Sequence, residues 1–590
     1  MKTFLTAMGG AIIGMVLGVV ILALIAAAVI GGAISSATAP EEQADVMVLS
    51  LDMRNGLDDQ APTSGPEALF SEAVGFTDII LRLDAAATDE RVKGLIIRTS
   101  EIGVGFARAE EYTDALQKFQ DSGKFVLAHS QGIYGSASAY QAIAGADEIW
   151  LQPASELIAS GLSFETLFLK GLFDNLSITP DFVALYEFKN AVNTYQETDY
   201  TDAHRLAMTE LGESIWTSSI EAIADQRKLS ADAVRGVLET GPLSTTATIE
   251  AGLIDQIGWP QDVENAALER AGEDAALQSI MAYIPPSAPF RAPAIAIVGG
   301  EGPIVTGDTG GSFFSEGNSF ASDSISAALM DAAENESVSA IVFRVDSPGG
   351  SPTASDQIWH TIETIKSQHE KPVIVSMAGV AASGGYYVSA GADWIIANPS
   401  TITGSIGIFG GKFGIEDALQ RIGVNAERIA IGGDFAGAFS STAPFTDDQR
   451  TQIRAWLQRG YDRFVGLVAE GRDMSVDAVD QRARGRVWSG RDAMRMGLVD
   501  ELGNFMSAIE KAKELAEIEA DTEVRFIKYP QPDGNFFLST PMVSASAQQL
   551  AAFGLLADTL DDPAVQGLLT EVDAARSPHL QARVPHLGAR

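Results

Sequence analysis

Apolar positions along the chain fall into two regimes. Residues 8–34 are wholly Ala, Gly, Ile, Leu, Val and Met, and no charged residue occurs between Thr3 and Ala39. About 20 such residues cross a bilayer as a helix, so one transmembrane helix is expected within residues 1–40. A cleaved leader has a shorter apolar region, about 7–15 residues. The small-residue site Ala37-Thr38-Ala39 is also followed by Pro40, so the reading is a retained anchor. Lys2 precedes the span, while Glu41, Glu42 and Asp45 follow it. The positive-inside bias then places the rest of the chain outside, which in a bacterium means a single-pass inner-membrane protein facing the periplasm.

After the span the pattern changes. Short β-branched runs alternate with longer stretches of helical period. Strands are expected at 294–298, 340–345, 373–376 and 394–397. Helices are expected at 324–334, 354–367, 414–422 and 447–470, with another centred on 508–516. Such alternation implies an α/β fold with a largely parallel sheet.

The pattern occurs twice. Glu90-Arg91-Val92-Lys93-Gly94-Leu95-Ile96-Ile97-Arg98 matches Glu336-Ser337-Val338-Ser339-Ala340-Ile341-Val342-Phe343-Arg344, an offset of 246 residues. Tyr140 with Gly145-Ala146-Asp147 matches Tyr386 with Gly391-Ala392-Asp393 at the same offset, and Ala251–Asp255 matches Met496–Asp500 one residue closer. This register implies tandem copies of one domain. The organisation is then an anchor (1–40), a first repeat (41–285), a second repeat (286–525) and a C-terminal extension (526–590), with the join in a Pro-rich stretch near 280–292.

Composition narrows the chemistry. A hydrophobic fraction of 46% with 20% charged residues suits a folded chain. The formal charge of −38 disfavours nucleic acid as a partner. The chain has no cysteine, which removes thiol catalysis, disulfides and Cys-ligated metals. No cluster of metal ligands and no cofactor motif is visible.

Two turns of the second repeat stand out. The run 340–345 leads into Asp346-Ser347-Pro348-Gly349-Gly350-Ser351, and the next strand leads into Gly379-Val380-Ala381-Ala382-Ser383-Gly384-Gly385-Tyr386. Alone, the first reads as an ordinary βα turn and the second as a helix-capping serine. From consecutive strands they place a hydroxyl beside backbone N–H groups able to hold an oxyanion. A serine nucleophile needs a base. The six histidines are at 129, 204, 360, 369, 579 and 586, so none lies between 369 and 579. Lysine remains, and it must be buried to be neutral near pH 7. The repeat focuses the search. Ser383 corresponds to Ala137, whereas Phe188-Lys189-Asn190-Ala191 corresponds to Phe435-Ala436-Gly437-Ala438. One half keeps a lysine and lacks the serine; the other does the reverse. A solvated lysine is the ordinary alternative.

These residues resemble peptidase family S49, the membrane-bound Ser/Lys signal peptide peptidases in their long bacterial form. The carrying motifs are Asp346–Ser351, Met377–Tyr387, Asn398–Gly407 and Tyr186-Glu187-Phe188-Lys189-Asn190-Ala191-Val192. The resemblance implies a tandem Clp-protease/crotonase-like fold, Ser383 as nucleophile, Lys189 as general base and Ser405 as hydrogen-bond partner of the amine. Gly384 with Gly349 or Gly350 would hold the oxyanion. It also implies a bowl-shaped homotetramer at the membrane that cleaves remnant signal peptides and other short apolar peptides, with no metal. Two other classes stay open on the residues alone: a crotonase-like acyl hydrolase, which shares the paired turns, and a degenerate membrane-tethered scaffold, since Ala137 shows one site already without its hydroxyl. Glu187 would share a face with Lys189 on a strand and diverge from it in a turn.

Overall fold

The computed structural model describes residues 43–61, 74–159, 161–308, 320–433 and 435–530. The expected membrane helix and residues 531–590 lie outside the described residues. Among the described residues no helix is long and apolar enough to cross a membrane.

Two sheets share one order of six parallel strands, and the second sheet adds Ile402–Gly404 and, antiparallel to it, Val487–Ser489. The first runs Ala276–Ser279, Met47–Asp52, Val92–Arg98, Phe125–Ser130, Glu148–Leu151, Gln256–Ile257. The second runs Arg525–Tyr529, Ala294–Glu301, Val338–Ser347, Val373–Ala382, Trp394–Ala397, Glu501–Leu502. The duplication reaches single bonds. Tyr140 Oη donates to the Leu253 carbonyl at 2.6 Å, and Tyr386 Oη to the Leu498 carbonyl at 2.7 Å. Arg227 pairs with Asp255 in one half, and Arg472 with Asp500 in the other. Arg525–Tyr529 occupies the place of Ala276–Ser279, so the second sheet runs past the expected boundary at 525.

Several strands outrun their apolar signal. Val338–Ser347 and Val373–Ala382 continue into the small-residue motifs. There the backbone finds a new neighbour: Val380, Ala381 and Ala382 pair with Ile402, Thr403 and Gly404. The expected helix at 414–422 is shorter, Glu416–Arg421, and a strand, Phe409–Gly414, precedes it.

The halves interlock. Along Ala294–Glu301, Ile295 and Ile297 join a core shared with first-repeat helices, whereas Ala294, Ala296 and Val298 face a second core, as strand alternation requires. Fully buried Arg344 binds Asp59 at 2.9 Å and Glu111 at 2.8 Å, both from the first repeat. Losing one partner of such a set would strand a charge in the interior. Strand Thr179–Ala184 of the first repeat pairs antiparallel with Phe409–Gly414 of the second, so the chain just after Ala184 enters the other half.

Candidate active site

Strand Val373–Ala382 ends directly on Ser383, which opens the short helix Gly384–Ser389. Ser383 has φ 55° and ψ −114°, a conformation that costs an L-residue about 1–3 kcal/mol. Surrounding bonds hold it there: its N–H donates to the Gly404 carbonyl at 2.9 Å, and its carbonyl accepts from Tyr387 N–H at 2.9 Å. The hydroxyl is thereby turned out of the strand. Its neighbourhood tolerates no bulk. A Cβ on Gly349, whose φ is +99°, would lie 2.5 Å from Gly384 N and 2.8 Å from Ser383 Cβ.

The three glycines expected to hold an oxyanion have different roles. Gly349 N–H donates to Ser347 Oγ at 3.1 Å, so it is spent within its own turn. This corrects Gly349 from donor to spacer. Gly350 is bracketed by backbone bonds, Ile304 N–H to the Gly349 carbonyl at 3.0 Å and Ser351 N–H to the Ile304 carbonyl at 2.8 Å. Among the described residues, the N–H groups of Gly350 and Gly384 donate to no protein group. Two free donors beside one hydroxyl form the geometry an oxyanion requires.

Lys189 reaches this point from the first repeat. Its Nζ lies 3.0 Å from Ser383 Oγ, 2.9 Å from Ser405 Oγ and 3.0 Å from the Ser405 carbonyl. The side chain is buried, and burial pushes its pKa down to about 7. A neutral amine has two N–H groups and one lone pair. The two Ser405 oxygens can take the donors, leaving the lone pair toward Ser383. Glu187 does not interfere. Tyr186 has φ 65°, which turns the chain, and the Glu187 carboxylate sits 3.7 Å from Arg484 on the surface. Of the histidines weighed as bases, His360 is exposed.

Ser405 is held from both halves. Its N–H donates to the Arg486 carbonyl at 2.7 Å. The loop entering strand Ile402–Gly404 is gripped by helix Phe106–Asp121 of the first repeat. Glu110 accepts from Ser400 Oγ at 2.6 Å and from Ser400 N–H at 3.0 Å, and Glu111 accepts from Asn398 at 3.0 Å. Burial pushes the Glu110 pKa up to about 7. Sequence reasoning missed this support, because no local pattern links residues 110 and 400.

Beside the hydroxyl is a pocket of about 120 Å³, walled by Tyr387, Ile408, Phe409 and Phe464 and floored in part by Gly460. Its walls suit an apolar side chain. Among the described residues no group of three or more His, Asp or Glu side chains is arranged to hold a metal ion.

Comparisons with known proteins agree with this layout. The model of peptidase family S49 matches residues 118–274 and 365–519, more than half of the chain, and the Clp protease model matches 313–401. The chain is 33% identical over 469 residues to Protease 4 of Haemophilus influenzae, covering 76% of this chain and 74% of that protein. It is 31% identical over 459 residues to Protease 4 of Salmonella typhi (75% and 72%). It is 26% identical over 494 residues to a chloroplastic serine protease, SPPA, of Arabidopsis thaliana (82% and 71%).

Proposed function

The chain belongs to peptidase family S49 and is a serine protease; from that premise we propose that it is a membrane-anchored endopeptidase with a Ser383–Lys189 dyad that clears cleaved signal peptides and other short apolar peptides. The observation that carries this reading is the 3.0 Å contact between a buried amine and a strained serine hydroxyl, supplied by opposite repeats. Neutral Lys189 takes the Ser383 proton as Oγ attacks the peptide carbonyl. Gly350 and Gly384 N–H groups stabilise the tetrahedral oxyanion. The protonated amine gives its proton to the leaving nitrogen, and the N-terminal part of the substrate remains as an ester on Ser383. Water, deprotonated by the same lysine, releases it. Ser405 orients the amine through both of its oxygens.

The apolar pocket and the proposed anchor together favour apolar segments at the membrane surface. A homotetramer and a periplasmic site are part of the same proposal. A fluorophosphonate tests it. The reagent should add one mass tag to the Ser383 peptide of the full-length protein and lose reactivity in Ser383→Ala and Lys189→Met. Labelling elsewhere, or hydrolysis of an apolar peptide by either variant at the parent rate, would sink the dyad. A crotonase-like acyl hydrolase would instead turn over acyl thioesters in preference to peptides.

A further inference from the structure

Lys189 must cross from one repeat to the other and arrive at a fixed point. Its own turn carries the local backbone bond from Asn190 N–H to the Phe188 carbonyl at 2.9 Å. On the far side of it lies a three-residue segment of the second repeat, Arg484-Gly485-Arg486, that touches each residue of Tyr186-Glu187-Phe188-Lys189. The Arg484 guanidinium lies 5.6 Å from the Tyr186 ring centre and 3.7 Å from the Glu187 carboxylate, and is anchored on its own side by Asp480 at 3.0 Å. The Arg486 guanidinium lies 5.1 Å from the Phe188 ring and 4.2 Å from Trp488, and pairs with Glu210 of helix Asp202–Arg227. Between the two arginines, Gly485 meets the lysine backbone. A Cβ there would lie 2.6 Å from the N, Cα and Cβ of Lys189.

The same segment holds the other partner of the amine. Arg486 accepts through its carbonyl from Ser405 N–H at 2.7 Å, and Gly485 N–H donates to the Ile406 carbonyl at 2.8 Å. Arg484 and Gly485 have φ 54° and 83°. Two consecutive left-handed residues turn the chain so that its side chains face the first repeat while its backbone faces Ser405.

We propose that Arg484-Gly485-Arg486 is a clasp of positioning residues that seats Lys189 against Ser383 and closes its pocket to water. This inference rests on the Ser/Lys reading. Arg486 is its principal contact, because a planar guanidinium stacks on two rings while keeping an ion pair, which an ammonium does less well. Loosening it lets water reach the amine, and hydration favours the charged form. The charged and titratable groups packed around the turn that carries the amine are Glu187 on its own segment, Arg484, Arg486, Asp480, Tyr461 and Glu210, and Tyr387 lines the pocket the amine enters; each arginine is paired to a carboxylate, so their field is largely compensated.

The test follows kcat/KM of the full-length protein on an apolar peptide from pH 5.5 to 10. In Arg486→Ala the midpoint of the rising limb should move up by about one pH unit, so that the value at pH 7 falls about fivefold, the deficit approaches about tenfold at low pH and it shrinks at high pH. Arg486→Lys should fall between parent and Ala. Phe188→Leu should produce the same displacement, and the double variant should lose less than the two singles together. An unmoved midpoint in Arg486→Ala, or full additivity with Phe188→Leu, overturns the clasp. If Arg486→Ala does not fold, Arg486→Lys and Phe188→Leu decide by the same midpoint. Ser383→Ala and Lys189→Met run alongside: activity surviving in them discards the dyad, whereas their inactivity with unmoved midpoints elsewhere discards only the clasp.

Discussion

The two repeats carry one scaffold and opposite chemistry at the ends of corresponding strands. In the second, the residue closing the strand is Ser383 at φ 55°, and two N–H donors beside it are open. In the first, its counterpart Ala137 opens helix Ala137–Gln141 and is not among the described non-glycine residues with positive φ. There Val104, the counterpart of Gly350, donates to Ser138 Oγ at 3.2 Å, and Ser138 N–H, the counterpart of Gly384 N–H, donates to Ser136 Oγ at 3.3 Å. Serine hydroxyls have filled the hole from within. The difference teaches that strain and unmet hydrogen bonds in the second repeat belong to the site rather than to the fold, because the same fold without that serine has shed both.

The comparison can be broken on purpose. The largest effect is expected from Ser383→Ala, which gives the second repeat the first repeat's residue; peptide hydrolysis should fall by about 10⁴-fold or more with the melting temperature kept or raised. Next comes Gly384→Ser, which copies Ser138. Its hydroxyl would reach toward Gly350 N–H, and its Cβ would press on Ser355 Oγ at 2.6 Å. A fall in kcat of about 10²–10³-fold is expected, with substrate binding less affected, as separate kcat and KM values will show.

The amine sharpens the contrast through pH. With its pKa lowered to about 7, Lys189 is protonated below that point, so kcat/KM should drop about tenfold per pH unit there and level off above it. Burial also makes the lysine a stability liability. The folded protein binds its proton less tightly than the unfolded chain, so the cost is absent above about pH 10.5, grows as pH falls, and is complete below about 7. Lys189→Met should therefore raise the melting temperature at pH 6 more than at pH 10, read by calorimetry. The smallest effect is expected at Glu110. Its raised pKa gives stability that is full below about 4.5 and lost as pH rises through about 7. Glu110→Gln, which mimics the protonated acid toward Ser400, should stabilise the protein at pH 8 by about 1–3 kcal/mol, the gain vanishing near pH 4.5. Denaturant midpoints at the two pH values will measure it, and turnover should change less than about twofold.

Much of this was legible in the chain. Strand Trp394–Ala397 matches its expected limits, because its apolar run is bounded by a charge and by Asn398-Pro399. The repeat register, 246 residues at Ser383 and 247 at Lys189, separated the two residues and paired them as complements. Strand Phe409–Gly414 was not legible: its three glycines carry no apolar period, and it forms only because Thr179–Ala184 lies alongside. Gly349 and Gly350 look alike in sequence, and only the Ser347 hydroxyl tells the spent donor from the open one. Arg484–Arg486 and Glu110 were unreadable for the same reason. Their meaning lies in partners more than 200 residues away.

The 194-residue separation between amine and hydroxyl has a further consequence, in time rather than in space. A ribosome that has released only the leading half has produced the amine without the hydroxyl, and even the serine's emergence leaves the residue packed on that amine's backbone, Gly485, unsynthesised. On the proposed Ser/Lys reading, cutting power arises late, once distant parts of the polypeptide have met. On that reading the order of synthesis would do for this chain what a removable pro-segment does for other hydrolases.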